Sequence, residues 1–136
     1  MKLQIYTDGG ARGNPGPAGI GIVIIDLSTG KIVEQLSKYL GATTNNQAEY
    51  QAAILGLKRA VELNAQSVEI VADSELLIKQ ARGEYKVKNA ELGKRFLELK
   101  NLEIKLGGRV QYRHIAREHN KRADALANQA MDRKGE

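Results

Sequence analysis

The sequence predicts an α/β fold: a mixed five-stranded sheet, three antiparallel strands plus two parallel ones, flanked by helices in the order βββαβααβα. Three observations carry that expectation. Runs rich in β-branched residues fill the chain up to Tyr39, with turn residues between them. A helical stripe then replaces the two-residue period. Beyond it, two more apolar runs are each followed by helical segments, the alternation that builds parallel strands.

Lys2 to Asp8 alternates Leu3, Ile5 and Thr7 with Lys2, Gln4 and Tyr6, the pattern of a strand that ends on an acid. Gly9 to Pro17 follows, with four glycines and two prolines, and predicts a long irregular connection. Gly19 to Asp26 reads as a strand buried on both faces. Ser28-Thr29-Gly30 turns the chain into Lys31 to Tyr39, completing an antiparallel meander.

From Asn45 to Asn64 the period changes. Tyr50, Ile54, Leu57 and Val61 form one helical stripe, and Glu49, Ala53, Gly56 and Ala60 form a line of small residues that Glu49 opens. Small residues let a helix lie close to a sheet. Ser67 to Ala72 is the fourth strand, ending on Asp73 with a short helix after it. A further helix is expected from about Asn89 to Leu102, a last strand over Arg109 to Ala116, and a last helix over Lys121 to Arg133 with Asn120 as its N-cap.

Composition bounds the function. The chain has 136 residues, 42% of them hydrophobic, the size of one domain with one core, and no linker or repeat divides it. Cysteine is absent, which removes disulfides and thiolate metal sites. The longest apolar run, Ile20 to Ile25, is too short to span a bilayer, and Met1 opens directly into a strand pattern. The expectation is a cytoplasmic protein with no membrane partner and no protein partner implied, a monomer. Lys and Arg outnumber Asp and Glu by 21 to 16, an excess of +5. That suits a polyanionic partner without establishing one. Lys79, Arg82, Lys86, Lys88, Lys94 and Arg95 gather in one stretch, which is either a solvated helix pair or a phosphate-binding surface.

Four acids occupy positions that could converge. Asp8 and Asp73 stand where strands finish, and the carboxyl ends of neighbouring parallel strands share a crevice. Glu49 and Asp124 each lie one turn into a helix. Each acid also has a structural explanation. Asp8 could cap the following turn, Asn46-Gln47-Ala48-Glu49 has the spacing of a capping box, and Asp73 and Asp124 suit helix N-termini. If the four do meet, their repulsion requires a cation. Oxygen-only ligands favour hard ions over zinc.

Taken in order, Thr7-Asp8-Gly9-Gly10, Gly13-Asn14-Pro15-Gly16-Pro17, Thr44-Asn45-Asn46-Gln47-Ala48-Glu49-Tyr50, Asp73-Ser74, His119-Asn120 and Ala123-Asp124-Ala125-Leu126-Ala127 resemble type 1 ribonuclease H, in its compact prokaryotic form. The resemblance spans nearly the whole chain and implies the ribonuclease H-like fold. It implies an endoribonuclease that hydrolyses the RNA strand of RNA–DNA hybrids and leaves 5′-phosphate and 3′-hydroxyl ends. It further implies two Mg²⁺ ions, with Mn²⁺ as a substitute, held by Asp8, Glu49, Asp73 and Asp124. Gly9, Gly10, Ala11 and Arg12 are then the backbone that approaches the RNA, where 2′-hydroxyls distinguish it from DNA. Asn14, Asn45 and Gln47 are assigned to minor-groove or sugar contacts, and Thr44 and Asn46 to the DNA strand. Lys86 and Lys88 fall where larger relatives carry a basic protrusion, here reduced to a direct connection. The loop residue assisting turnover is His119, with Glu118 as rival, while His114 belongs to the strand. Glu75 stands where the resemblance leads one to expect a glutamine.

Two other readings fit parts of the pattern. A non-catalytic hybrid-binding module would keep the fold while losing ligands, but all four acids are present. Another nuclease of the same fold would lack the combined Asp-Gly-Gly and Thr-Asn-Asn-Gln-Ala-Glu pattern. No GxxxxGK[ST] exists, which excludes a phosphate-loop NTPase.

Overall fold

In the computed structural model, which describes residues 1–134, the sheet is built from β1 (Lys2–Ala11), β2 (Gly16–Asp26), β3 (Lys31–Thr43), β4 (Ser67–Ala72) and β5 (Val110–His114). The helices are α1 (Asn45–Glu62), α2 (Glu75–Ala81), α3 (Ala90–Lys105) and α4 (Lys121–Arg133), with one 3-10 turn at Arg117–His119. The last two residues of the expected 1–136 domain lie outside the described residues. Spatial order is β3-β2-β1-β4-β5. β1 pairs antiparallel with β2 and parallel with β4, β2 pairs antiparallel with β3, and β4 pairs parallel with β5. The predicted order of elements and the three-plus-two division of the sheet both hold.

The main core lies on the α1 face. Leu3 and Ile5 of β1, Ile22 and Ile24 of β2 and Ile70 of β4 meet Tyr50 and Leu57 of α1, and Leu99 of α3 closes the far side. The line of small residues does what its spacing predicts. A Cβ on Gly56 would lie 3.0 Å from Ile5 Cγ2, so α1 rides directly on β1. On the opposite face α4 covers β2 with its own alanines, and a Cβ on Gly19 would lie 2.6 Å from the Ala127 carbonyl oxygen. At Gly21 it would run into the Ala123 carbonyl. Glycine here is the condition for helix-to-sheet contact, and any side chain would push α4 off the sheet.

All strands but β4 differ from expectation at a boundary, and β2 begins at Gly16 rather than Gly19. β1 does not stop at Asp8: Gly9, Gly10 and Ala11 pair with Ile20, Gly19 and Ala18. The glycine-rich segment therefore begins as inner strand, with Gly9 bare because α1 lies over it, and residues 12–15 form the hairpin tip. The tip is closed by the Arg12 N–H donating to the Pro17 carbonyl at 2.8 Å. β3 continues past Tyr39 to Thr43 through a register shift opposite Ala18 and Gly19, with Gly41 at φ 77°, and the bulge hides the alternation from the sequence. β5 is shorter than Arg109 to Ala116 because β4 ends at Ala72 and leaves nothing further to pair with.

The caps differ too. Thr44, not Asn46, is the N-cap of α1, its side chain accepting from the Gln47 N–H at 3.2 Å. That removes Glu49 from any capping box and leaves its carboxylate for other work. Asn89 caps α3, accepting from the Leu92 N–H at 3.0 Å, and the helix runs on to Lys105. Asn120 holds the N-cap position of α4, but its side chain makes no capping bond.

Candidate active site

Four elements deliver one acid each to a single open recess of about 410 Å³. Asp8 comes from within β1, on the face opposite Thr7; Asp73 directly follows β4, the parallel neighbour of β1. Glu49 comes from the start of the second turn of α1, and Asp124 from the first turn of α4. The helix start that would bind Asp73 to a capping role is taken by Ser74, whose Oγ accepts the Leu77 N–H at 3.2 Å. Burial and convergence push the Asp8 carboxyl up to about 8: burial contributes most, then the Asp73 charge, then a shared hydrogen bond and charge from Asp124, then Glu49. Burial also raises Glu49, and Asp73 adds to that, while the Ser74 hydroxyl acts in the other direction.

Neutral donors hold the other three acids. Ser74 Oγ donates to Glu49 Oε2 at 2.7 Å, Asn120 Nδ2 to Asp73 Oδ2 at 3.2 Å, and Asn128 Nδ2 to Asp124 Oδ2 at 3.3 Å. The nearest cation is Arg117, whose Nη2 lies 3.9 Å from Asp124 Oδ1 with its side chain 84% exposed. One solvated guanidinium cannot balance four carboxylates. Among the described residues no three acids or histidines already close around a single point. The donor set still fits a hard divalent cation: all oxygen, strongly negative, and with a repulsion on Asp8 that such an ion would relieve.

The other expected site residues divide. Gly9, Gly10, Ala11 and Asn45 line the recess. Gly9 needs its missing side chain for another reason than substrate approach, because a Cβ there would collide with the Ala48 carbonyl and stand 2.7 Å from the Glu49 nitrogen. Gly10 is open, its nearest neighbours being 3.8 and 4.0 Å away. Asn45 Oδ1 accepts the Ala11 N–H at 2.7 Å, and Asn14 Oδ1 accepts the Asn45 N–H at 3.1 Å, which staples the hairpin tip to α1. Asn46 is exposed beside Thr44. Gln47 is buried and turned toward α3, where its side-chain oxygen accepts from Arg95 Nε at 2.9 Å.

Arg12 also lines the recess, but its guanidinium is engaged by Asp132 at 2.6 Å and Asn128 at 3.3 Å. Of the basic cluster, Lys79 pairs with Glu75, Arg82 with Glu84 and Arg95 with Glu98. Lys86, Lys88 and Lys94 are exposed and, among the described residues, in no ion pair.

His119 is not brought to the acids. It lines a different recess, with Tyr6, Val23, Ile25 and Ile32, and its Nε2 lies 3.8 Å from Glu118. Arg117 faces the acids from that loop instead, and His114, at the end of β5, reaches the Asp73 backbone carbonyl at 3.3 Å. Sequence reasoning missed Arg117, Asn128 and the inward turn of Asn120. Asn128 could have been found, four residues from Asp124 on one helix. Arg117 sits in a loop without periodicity and gave no signal.

Comparison with known proteins sets this geometry in a family. A family profile described as reverse transcriptase-like matches residues 6–130. The bifunctional protein Rv2228c of Mycobacterium tuberculosis is 40% identical over 132 residues, which cover 97% of this chain but 36% of that protein. The chain thus spans about a third of the length of this mycobacterial relative. The ribonuclease H of Lachnoclostridium phytofermentans is 39% identical over 152 residues, covering 97% of this chain and 93% of the relative. Among solved structures, LC11-RNase H1 in complex with an RNA/DNA hybrid superposes with a TM-score of 0.91 at 44% identity, covering 96% of this chain and 97% of that one. Matched along nearly its full length by a protein of almost the same extent, and carrying four acids where four elements of this fold meet, the chain belongs to the ribonuclease H family.

Proposed function

We propose that this chain is a metal-dependent endoribonuclease that hydrolyses the RNA strand of RNA–DNA hybrids, leaving 5′-phosphate and 3′-hydroxyl ends. The observation that carries the reading is the mutual placement of Asp8, Glu49, Asp73 and Asp124, where burial first and then the neighbouring charges push the Asp8 carboxyl up to about 8. A purely structural cluster would gain nothing from that repulsion. In this reading the four carboxylates hold two Mg²⁺ ions, or Mn²⁺ in their place. Bound divalent ions supply the positive charge that draws a phosphodiester toward the acids and offsets the charge developing on it.

The protein's own residues handle the rest. Ser74, Asn120 and Asn128 fix the carboxylates without neutralising them. Asn45 and Asn14 each have their side-chain oxygen occupied by a backbone N–H, which leaves the amide NH₂ as the donor without a side-chain partner among the described residues. Donors suit the acceptors of a minor groove and of 2′-hydroxyls. Gly10 leaves the backbone bare beside them, so a sugar can approach without meeting a side chain.

Incubation of the protein with labelled RNA–DNA hybrid, duplex DNA and duplex RNA, each with Mg²⁺, Mn²⁺ or EDTA, tests the reading. The expected result is cleavage confined to the RNA strand of the hybrid and abolished by EDTA. Cutting that persists in EDTA, or that appears in the DNA strand, overturns it.

A further inference from the structure

We infer that Asn120 is a positioning residue for Asp73, sacrificing its place as a helix cap to hold that carboxylate in the orientation a divalent ion requires. The inference rests on the metal-dependent reading above. Asn120 is 1% exposed and stands at the N-cap position of α4, where an asparagine oxygen ordinarily accepts an N–H of the first turn. Here it makes no such bond. Its Nδ2 points the other way, donating to the Thr7 carbonyl at 2.9 Å and to Asp73 Oδ2 at 3.2 Å.

The amide cannot be turned over without loss. Reversed, its oxygen would face the Thr7 carbonyl and a carboxylate, two acceptors. In the orientation it adopts, Oδ1 is buried with no partner among the described residues. Two stabilising arrangements, a cap and a satisfied oxygen, are thus both given up, and an unmet buried acceptor is unfavourable. What the residue gains is one amide joining three elements: β1 through Thr7, the end of β4 through Asp73, and the start of α4 through its own backbone. Asp73 follows its strand as an unpaired end, so nothing in the sheet fixes its side-chain torsion. Groups that hold a metal ligand from behind commonly change affinity or activity by about 10- to 100-fold.

The test uses the full chain with Asn120→Leu and Asn120→Asp. Leucine matches the size and removes the orphaned oxygen along with the donor. Aspartate keeps the shape and restores a capping acceptor, but sets a carboxylate against Asp73. The readouts are Mn²⁺ binding by calorimetry without substrate, melting temperature in EDTA, and kcat and KM on hybrid. Both variants are expected to fold, to bind Mn²⁺ about 10-fold or more weakly and to lose about 10- to 100-fold in kcat, with KM within about twofold. Wild-type Mn²⁺ affinity and kcat in either folded variant overturns the proposal, as does a loss confined to KM. Failure of both variants to fold overturns it as well, since Asn120 would then be a structural residue. A wild-type chain that binds Mn²⁺ and cuts no hybrid sinks the nuclease reading alone, because the Mn²⁺ comparison still decides the role of Asn120.

Discussion

Two regions of this molecule carry concentrated charge, and they treat it in opposite ways. At the edge where β1, β4, α1 and α4 meet, four acids are crowded and partly buried, and three of them are fixed by neutral donors, so their repulsion stays in place. Six basic residues run from the end of α2 to the start of α3, and three of them, Arg82, Lys86 and Lys88, stand in the short exposed connection itself. Half of the six are paired with a glutamate each, and Lys79 also rests over the Tyr85 ring at 4.9 Å. Uncompensated charge in a low-dielectric cleft interacts strongly, whereas compensated charge in water is worth little. The acid edge therefore has the strength chemistry requires, and the basic connection has only that of salt-dependent attraction.

Substitutions can break that contrast, beginning with the largest effect. Asp73→Asn keeps size and one carbonyl oxygen but removes a negative charge from the cluster, and kcat is expected to fall by about 1000-fold. Hybrid binding in EDTA should survive or tighten, and the melting temperature should hold or rise because one repulsion disappears. Near wild-type cleavage would show that the Asp73 charge plays no part in the reaction.

The second effect is on stability. Folding raises the Asp8 carboxyl from 3.8 to about 8, so between these values the folded chain holds a proton that the unfolded chain has released. The metal-free protein is therefore most stabilised at the acid end of that window, and the contribution is lost as pH rises toward 8. The change should reach about 2–3 kcal/mol after allowing for partial exposure, and it should be absent in Asp8→Asn and reduced by Mg²⁺. Melting curves in EDTA across this range measure it, and equal slopes in both proteins would show that burial and the neighbouring acids do not raise Asp8.

Adjacent glycines sharpen the comparison within the acid edge. Gly9→Ala forces a methyl against α1 and should destabilise by about 1–3 kcal/mol. Gly10→Ala has room, and should leave the melting temperature unchanged while raising KM. Reversal of the two outcomes would mean that α1 does not sit directly on β1.

At the basic connection, replacing Lys86 and Lys88 with Ala should raise KM by about 2- to 10-fold and flatten the salt dependence of hybrid binding by about one unit per lysine, with kcat little changed. An unaltered slope would make both lysines ordinary solvated surface. The smallest effect is expected at His119→Ala, under about threefold in kcat, since that side chain lies outside the acid recess and water can replace a distant proton carrier. A loss as large as that of Asp8→Asn would place the histidine among the acids during turnover.

Much of this protein could be read from its sequence. The order of elements, the small-residue face of α1 and the four acids all follow from local period and residue type, because alternation, helical stripes and glycine placement are written along the chain. Periodicity could not say which partner a residue would meet. Gly9 looked like bare backbone for a substrate, and only the packing of α1 revealed a helix in the way. Asn120 looked like a cap, and only the arrival of β1 and Asp73 beside it turned its amide inward. Asn46 and Glu49 had the spacing of a capping box, yet Thr44 took the cap and left Glu49 to the recess. Arg117, with no pattern around it, was placed by the loop alone. The sequence by itself determined the elements and the acids they carry. The tertiary structure decided which side chains are spent on packing and which remain free to act, because that choice depends on neighbours brought together from distant parts of the chain.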